Sequence, residues 1–323
     1  MAYGSGHTRW VTDRGHDADK RLARVALQTL GVSDARLTLL GCGLSSNAWL
    51  VADDVADREL VLRVALAAAG STYEREHAVL SRVLDTLNQA QPCALRVPRP
   101  IIGHWLLESS QAVNFSVTER LDGVGLALVD AAEAAGPIGR ALQALHDVDV
   151  RGLGLADTTR GWPFDDTPVH PIFGSGLTGW ADDIRQVAAT QPRVLVHGDL
   201  HEENILWPLV DDPDGSAVGF LDFGMASVGA AGWDFAALAY FLSWHIATIA
   251  LTSYRQDGGD LSRLTRQTQL LALSFAHHRL VTAQDNDEVG HGTAFIDETL
   301  SALSSWGGDD SDRWADRHQR GSE

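Results

Sequence analysis

The sequence predicts an α+β protein of two lobes, with a small antiparallel sheet in the amino-terminal lobe and a larger, mainly helical carboxy-terminal lobe. Its length of 323 residues corresponds to about two domains of roughly 150 residues each. Three strand-like runs follow one another before residue 66, whereas helical patterns dominate after residue 123. We therefore place the lobes at residues 1–122 and 123–305, and expect the polar, Gly- and Asp-rich tail at 306–323 to be mobile.

The composition is typical of a folded protein. Hydrophobic residues make up 45% of the chain and charged residues 21%, which lies outside the range of disordered sequences. The two cysteines are too few for a disulfide framework or a four-ligand zinc site. The first twenty residues contain no apolar segment of the kind found in signal peptides. These observations predict a cytoplasmic protein.

The charge balance is strongly acidic. The chain has 25 Lys and Arg against 43 Asp and Glu, giving a formal net charge of −18. Such a chain repels a phosphate backbone, so we expect no nucleic-acid partner. It also favours cationic small molecules near its surface, although a solvated acidic surface is the simpler explanation.

One apolar stretch approaches the length of a membrane span. Residues 235–251 read FAALAYFLSWHIATIAL, but they include Ser243, His245 and Thr248, and they follow Asp234 directly. We predict one buried helix here and no membrane insertion.

The amino-terminal elements follow from periodicity. Apolar residues at helical spacing predict a helix over 17–30, with Gly31 as its stop, and alternating patterns predict strands at 36–40, 47–52 and 59–65. A second helix is expected to open at Ser71, because Ser71 and Glu74 have the spacing of a capping box. A strand at 116–121 and a hinge near 119–123 complete this lobe.

The carboxy-terminal lobe is expected to be mainly helical. Pro137 suits the first turn of a helix that continues to residue 145, and helical patterns cover 260–283 and 292–304. Two short apolar strands, at 194–196 and 220–221, interrupt the helices.

The strongest chemical signal lies at the ends of those two strands. Residues 194–206 read VLVHGDLHEENIL, with Asn204 five positions after Asp199, and the second strand ends in FLDFG around Asp222. Phosphoryl transfer needs a carboxylate to accept or orient the proton of the acceptor hydroxyl, and oxygen ligands for magnesium on the ATP phosphates. An Asp-x4-Asn spacing followed by Asp-Phe-Gly is the arrangement of a protein-kinase catalytic loop. The alternative is that these residues only shape turns.

With Gly232-Trp233-Asp234 after FLDFG, these motifs resemble the aminoglycoside phosphotransferase and choline-kinase group, small-molecule kinases with a protein-kinase-like fold. The resemblance extends over about residues 37–242. It implies ATP and Mg²⁺ as cofactors, with Asp199 as the catalytic base. It also implies Asn204 and Asp222 as the magnesium ligands and Asp234 as a structural acid at a helix start.

A glycine-rich segment precedes the second strand. The segment GCGLSSN occupies the first strand turn, where backbone amides can cover phosphates, and the resembled family has a similar short loop at this place. The nucleotide-binding candidates in it are Gly41, Gly43, Ser45 and Asn47. Glycines in an ordinary hairpin are the alternative.

Arg63 and Glu76 form a candidate ion pair. Strand alternation places Arg63 between Val61 and Ala65 on one face, and helical spacing directs Glu76 inward with Leu80. A buried carboxylate needs a charged or hydrogen-bonding partner. Protein kinases have a Lys at the strand position, whereas many members of the resembled family have Arg, so we assign Arg63 to the phosphates. The alternative is a surface arginine that extends to solvent.

Other assignments depend mainly on the resemblance. It implies that backbone groups of Glu119 and Leu121 bind adenine. His197 is expected to brace the catalytic loop and His146 to be structural. For His201 a structural role and a place next to the substrate both remain open.

These features predict a phosphotransferase that moves the γ-phosphate of ATP to a hydroxyl group of a small molecule. The first candidate for this acceptor is an aminoglycoside. The alternatives are a kinase for another antibiotic such as a macrolide, for an amino alcohol or for a sugar, and a protein kinase or a pseudokinase-like binding module. Glu202 and Glu203, inside the catalytic loop, are candidates to pair with ammonium groups of the acceptor, and solvated loop acids are the alternative.

Overall fold

The structure, a computed structural model, describes residues 13–29, 31–32, 35–42, 46–53, 58–65, 73–89, 94–108, 111–157, 176–208, 217–254, 261–283 and 286–305. The chain divides into two compact units. The first contains Met1–Leu84 and Pro98–Leu121, and the second contains Asp85–Val97 and Asp122–Glu323. The second unit thus includes a segment that lies inside the amino-terminal lobe expected from the sequence.

The first unit is built on a five-stranded antiparallel sheet. Its elements are α1 (Asp13–Thr29), β1 (Arg36–Cys42), β2 (Ser46–Asp53), β3 (Arg58–Ala65), α2 (Tyr73–Leu87), β5 (Pro100–Glu108) and β6 (Gln111–Glu119). The strand order in the sheet is β1-β2-β3-β6-β5. The intervening strand β4 (Leu95–Arg96) belongs to the second unit. The antiparallel sheet predicted from three strand runs is confirmed, and the capping box at residues 71–72 lies outside the described residues.

One face of this sheet forms the core of the first unit. Leu60, Leu62 and Val64 of β3 are buried and pack with Phe115 and Val117 of β6. Buried apolar residues of α1 cover the same cluster: Ala23, Ala26 and Leu27. The alternation along β3 leaves Arg63 on the opposite side, as the period of a strand requires.

The second unit combines helices with short strands. The helices are α3 (Ala131–His146), α4 (Gly176–Thr190), α5 (Gly232–Phe241), α6 (Trp244–Ser253), α7 (Leu261–Thr282) and α8 (Asn286–Ser305). The further strands are β7 (Val124–Gly125), β8 (Arg193–Val196), β9 (Ile205–Trp207), β10 (Val218–Phe220) and β11 (Ser227–Ala230). They form a β4-β10-β9-β7 sheet and a β11-β8 pair. Because β4 pairs with β10 in parallel, residues 85–97 join this unit.

The apolar stretch at 235–251 forms two helices, so the prediction of one helix is wrong. Helix α5 ends at Phe241, and α6 begins at Trp244 after Ser243. The Ser243 hydroxyl accepts a hydrogen bond from the Ile246 amide at 3.3 Å, which caps the new helix. Among the described residues no helix has both the length and the apolar character needed to cross a membrane.

Helix α3 begins earlier than predicted. It starts at Ala131, where the Asp130 carboxylate accepts from the Ala132 amide at 2.9 Å, and Pro137 lies inside the helix instead of in its first turn. An aspartate cap satisfies a terminal N–H group, whereas Pro137 removes only one interior donor. Packing also requires Gly139, because a Cβ atom there would lie 2.1 Å from the Ala250 carbonyl oxygen of α6.

Candidate active site

Strand β8 leads directly into residues 197–204, which we call the catalytic loop. Its residues Val194, Leu195 and Val196 are buried, and the chain then turns at Gly198, whose φ is +85°. A Cβ atom at Gly198 would lie 2.6 Å from the Met225 carbonyl oxygen, so only glycine fits this turn. The turn presents Asp199, whose side chain is 37% exposed and therefore accessible to a substrate.

His197 braces the loop from beneath, as the sequence predicted. The imidazole is fully buried, and its Nε2 lies 2.7 Å from the Leu221 carbonyl oxygen, the residue before Asp222. Its Nδ1 lies 3.4 Å from the Asp199 amide nitrogen. A neutral ring that donates from Nε2 and accepts at Nδ1 satisfies both contacts. Burial lowers the pKa of His197, against the opposing effect of nearby carboxylates, which favours this neutral form.

Asp222 has a left-handed backbone conformation. Its φ of +59° and ψ of +73° are left-handed, and the residue is the only non-glycine with positive φ among those the structure describes. Such a conformation costs about 1 kcal/mol or more, and cases of this kind concentrate at active sites. One carboxylate oxygen accepts from the Gly224 amide at 3.3 Å.

Asn204 is tied to both loops. It is buried, its Nδ2 donates to the Asp199 carbonyl oxygen at 2.9 Å, and its own carbonyl accepts from the Leu221 amide at 2.9 Å. The last bond places Asn204 beside the residue that precedes Asp222. The two predicted metal ligands therefore lie on directly bonded segments.

The donors present fit magnesium. Asp222 offers a carboxylate, and Asn204 keeps its Oδ1 free of the bond from Nδ2 to Asp199. Over the described part of the chain, no cluster of three or more His, Cys, Asp or Glu residues could hold a metal alone. Magnesium suits such a small set, because it binds through one or two carboxylates plus phosphates and water.

Asp234 holds the backbone of the catalytic loop. It lies in the first turn of α5, is fully buried, and accepts from the amides of His197 and Gly198, each at 2.9 Å. The His146 Nε2 lies 3.1 Å from the same carboxylate, and the His146 Nδ1 lies 2.9 Å from the Tyr254 hydroxyl. The predicted structural roles of Asp234 and His146 thus belong to one network. Tyr254 was missed, because an isolated tyrosine after an apolar helix has no recognisable sequence signal.

We expect Asp234→Asn to destabilise the protein by about 2–4 kcal/mol, because an amide nitrogen must face one of the two loop amides. Urea unfolding measures the stability loss, and kcat should fall as the loop loses its anchor. The control is Asp182→Asn on α4, an 83% exposed acid paired with Arg185, where the loss should stay within about 1 kcal/mol. Equal unfolding midpoints for Asp234→Asn and the unmodified chain would contradict this role.

In the first unit, Arg63 and Glu76 form the predicted ion pair. The Arg63 guanidinium lies 2.7 Å from a Glu76 carboxylate oxygen, with the two side chains 16% and 4% exposed, and it also lies over the Tyr73 ring at 5.1 Å. The adjacent His77 lies 2.7 Å from the Ser116 hydroxyl. Burial, and then the Arg63 charge, lower the pKa of His77 to about 4. His77 is therefore neutral at pH 7 and adds no second cation beside Arg63.

The strands on either side of the predicted turn extend into the glycine-rich segment. Gly41 lies in β1 and Asn47 in β2, where Cys42 and Asn47 are paired, so these two residues are not in the turn. A bulge between Leu39 and Gly41 adjusts the register and lets the pairing extend towards the turn. The two remaining candidates, Gly43 and Ser45, lie outside the described residues.

Glu119 and Leu121 lie at the end of the first unit. Glu119 is the last residue of β6, and its amide donates to the Arg99 carbonyl at 2.9 Å, while the Arg120 amide donates to the Glu59 carbonyl at 3.1 Å. Both bonds join residues of the first unit, so the Glu119 and Arg120 amides are already engaged. The adenine-binding candidates are therefore the Glu119 carbonyl and the Leu121 amide.

Comparison with known proteins agrees with this arrangement. The profile of the phosphotransferase enzyme family matches residues 36–269, which include all eleven predicted site residues. The chain belongs to this family. This phosphotransferase is 27% identical to streptomycin 6-kinase of Streptomyces griseus over 264 residues, covering 70% of this chain and 85% of that protein. The resemblance inferred from the motifs is confirmed.

Solved structures confirm the predicted fold class. An aminoglycoside phosphotransferase with GDP and kanamycin and another with ADP and hygromycin B each match with a TM-score of 0.62 and 18% identity, covering 88% of this phosphotransferase and 99% of the other chain. Ethanolamine kinase from Plasmodium vivax matches with a TM-score of 0.59 and 13% identity, covering 90% and 89%. At these identities the likeness establishes the α+β, protein-kinase-like fold.

Proposed function

We propose that this protein transfers the γ-phosphate of ATP, with Mg²⁺, to a hydroxyl group of a small molecule. One observation carries the proposal: Asp199, Asn204 and Asp222 lie on two loops joined by the Leu221–Asn204 backbone bond. His197 adds a second link between the same loops. A base and two oxygen ligands held in this way are the parts that phosphoryl transfer needs. The use of ATP also supports a cytoplasmic location.

Asp199 performs the proton step in this proposal. The acceptor hydroxyl passes its proton to an Asp199 carboxylate oxygen as its own oxygen bonds to the γ-phosphorus and the bond to ADP breaks. Asp234 and His197 hold the backbone on either side of Gly198, so the carboxylate is in position before the substrate arrives. Magnesium, when bound by Asn204 and Asp222, neutralises charge on the phosphates.

The nucleotide is proposed to bind residues of the first unit. Arg63, paired with Glu76, is assigned to the α- and β-phosphates, since the planar set of N–H donors on a guanidinium matches phosphate oxygens. The Glu119 carbonyl and the Leu121 amide are assigned to adenine. The glycine-rich segment is assigned to the phosphates through its backbone, and its candidates are Gly41, Gly43, Ser45 and Asn47.

The proposed acceptor is an aminoglycoside-type compound, which carries several ammonium groups. Support comes from the relative named streptomycin 6-kinase and from solved structures that contain kanamycin or hygromycin B. Within the catalytic loop, Glu203 is exposed and Glu202 is partly exposed, so both can meet a cation. An amino alcohol is the second candidate, since one structural neighbour is an ethanolamine kinase.

A panel of hydroxyl compounds, incubated with Mg·ATP and analysed by mass spectrometry, tests the function. We expect a gain of one phosphate on compounds that carry ammonium groups. Phosphorylation of neutral or anionic compounds alone would contradict the proposed acceptor class but would still support the kinase activity. A nucleotide-dependent thermal shift without any phosphorylated product would identify a binding module instead.

Glu203→Gln should raise the acceptor KM by about two- to fivefold, because one exposed ion pair contributes up to about 1 kcal/mol. The KM of the unmodified enzyme should also rise with salt, since the screening length is about 8 Å at physiological ionic strength. The KM for Mg·ATP, measured over the same salt series, separates this effect from screening of the nucleotide. Glu298→Gln, which removes an exposed acid of α8, is the matched control and should leave the acceptor KM unchanged. Equal KM values for the two variants would contradict the pairing.

A further inference from the structure

The amide group of Asn204 has a fixed orientation. Its Nδ2 lies 2.9 Å from the Asp199 carbonyl oxygen and 3.0 Å from the His201 Nε2. A carbonyl oxygen can only accept, so the nitrogen of the amide, and not its oxygen, must face Asp199. The two hydrogens of Nδ2 therefore point to Asp199 and His201, which leaves Oδ1 for a ligand.

This orientation also determines the tautomer of His201. Since Nδ2 is a donor, the facing Nε2 must carry the lone pair, and the ring hydrogen lies on Nδ1. The Glu203 amide also points at Nδ1, at 3.3 Å, and a neutral imidazole accepts at only one nitrogen. The shorter contact, 3.0 Å from the buried Asn204 amide, takes that acceptor, since the N–H of the exposed Glu203 can bond to water instead. Asn204 is only 8% exposed, so its amide hydrogen depends on the imidazole acceptor.

Packing holds the His201 ring in place. The ring meets Phe241 edge-on with 5.5 Å between centroids, and the Arg279 guanidinium covers the Phe241 ring at 5.5 Å. The distance from His201 Nε2 to the Asp199 carboxylate is 3.8 Å, which is longer than a hydrogen bond. The firm polar contact of Nε2 is therefore with Asn204.

We propose that His201 is a positioning residue that holds the Asn204 amide so that Oδ1 is presented to magnesium. The inference rests on the proposed function, because it concerns the metal that accompanies the nucleotide. Without the imidazole acceptor, a buried N–H group loses its partner and the amide is free to rotate. Partners that orient a metal ligand typically account for about 10–100-fold in metal affinity.

Calorimetric titration of ADP at a series of Mg²⁺ concentrations tests the proposal without relying on activity. His201→Gln can place an amide oxygen where Nε2 lies, whereas His201→Phe keeps a ring and His201→Leu keeps bulk, both without an acceptor. We expect the Phe and Leu variants to weaken the apparent Mg²⁺ affinity by about tenfold, the lower end of the range for such partners, and the Gln variant to retain most of it. ADP binding without metal should be equal in all variants. His245→Leu, at an exposed histidine of α6, is the matched control.

Two results overturn the proposal. One is an Mg²⁺ affinity equal to that of the unmodified protein in whichever of the Phe and Leu variants is folded, as judged by circular dichroism. The other is an equal loss in the Gln variant and the variants without an acceptor, which would assign the effect to packing on Phe241. Both results leave the Mg²⁺ dependence of ADP binding by the unmodified protein intact, so they overturn this inference alone. If the unmodified protein binds ADP without any dependence on Mg²⁺, the proposed function fails as well.

Discussion

We expect Asp199→Asn to lower kcat by about 10²–10⁴-fold, the range of general-base contributions, while Mg·ATP binding remains unchanged. The carboxylate contacts the proton of the acceptor hydroxyl and not the nucleotide, so its loss appears in turnover. The substitution keeps the side-chain shape and the backbone contacts of residue 199 with His197 and Asn204. Steady-state kinetics with the acceptor identified in the panel, together with calorimetry of Mg·ATP, separates the two effects.

The control for this variant is Asp182→Asn, which makes the same chemical change at an exposed site on α4 and should keep full turnover. Near-normal kcat in Asp199→Asn would remove Asp199 from the role of base. A parallel loss of kcat and nucleotide affinity would instead indicate that the loop had moved.

We expect Asp222→Ala to abolish the Mg²⁺ dependence of nucleotide binding together with activity, since the phosphates then lack a compensating cation. Asn204→Ala should have a milder effect, about tenfold in apparent Mg²⁺ affinity, because a neutral amide contributes less than a carboxylate. Calorimetry with and without Mg²⁺ measures both variants.

The left-handed backbone of Asp222 requires a further variant. Alanine is strained at a φ of +59°, whereas asparagine tolerates this region and keeps an oxygen for the Gly224 amide. Asp222→Asn therefore separates the loss of the ligand charge from backbone strain and should also bind Mg²⁺ weakly. Mg·ATP affinity equal to that of the unmodified protein in Asp222→Ala would exclude Asp222 as a metal ligand.

Features that depend on local periodicity were predictable from the sequence. Strand alternation placed Arg63 opposite Leu62 and Val64, and helical spacing turned Glu76 inward, so their ion pair could be expected before the structure confirmed it. Boundaries were less predictable. The Asp130 cap and the Ser243 cap begin helices at places that the apolar pattern did not mark, because one side-chain hydrogen bond decides where a helix starts.

By itself, the sequence determined the family, the α+β class and the antiparallel sheet, because each is encoded in a short motif or a repeating pattern. The same motifs predicted Asp199, Asn204 and Asp222 as site residues. Only the tertiary structure showed how those residues are held. Asp234 lies 35 positions after Asp199 yet accepts hydrogen bonds from the amides of the two residues before it, and Tyr254 is linked to Asp234 through His146. These contacts join segments that are far apart in the chain. Since a buried polar group can be satisfied by a partner from any segment, the identity of that partner is decided by packing and not by spacing.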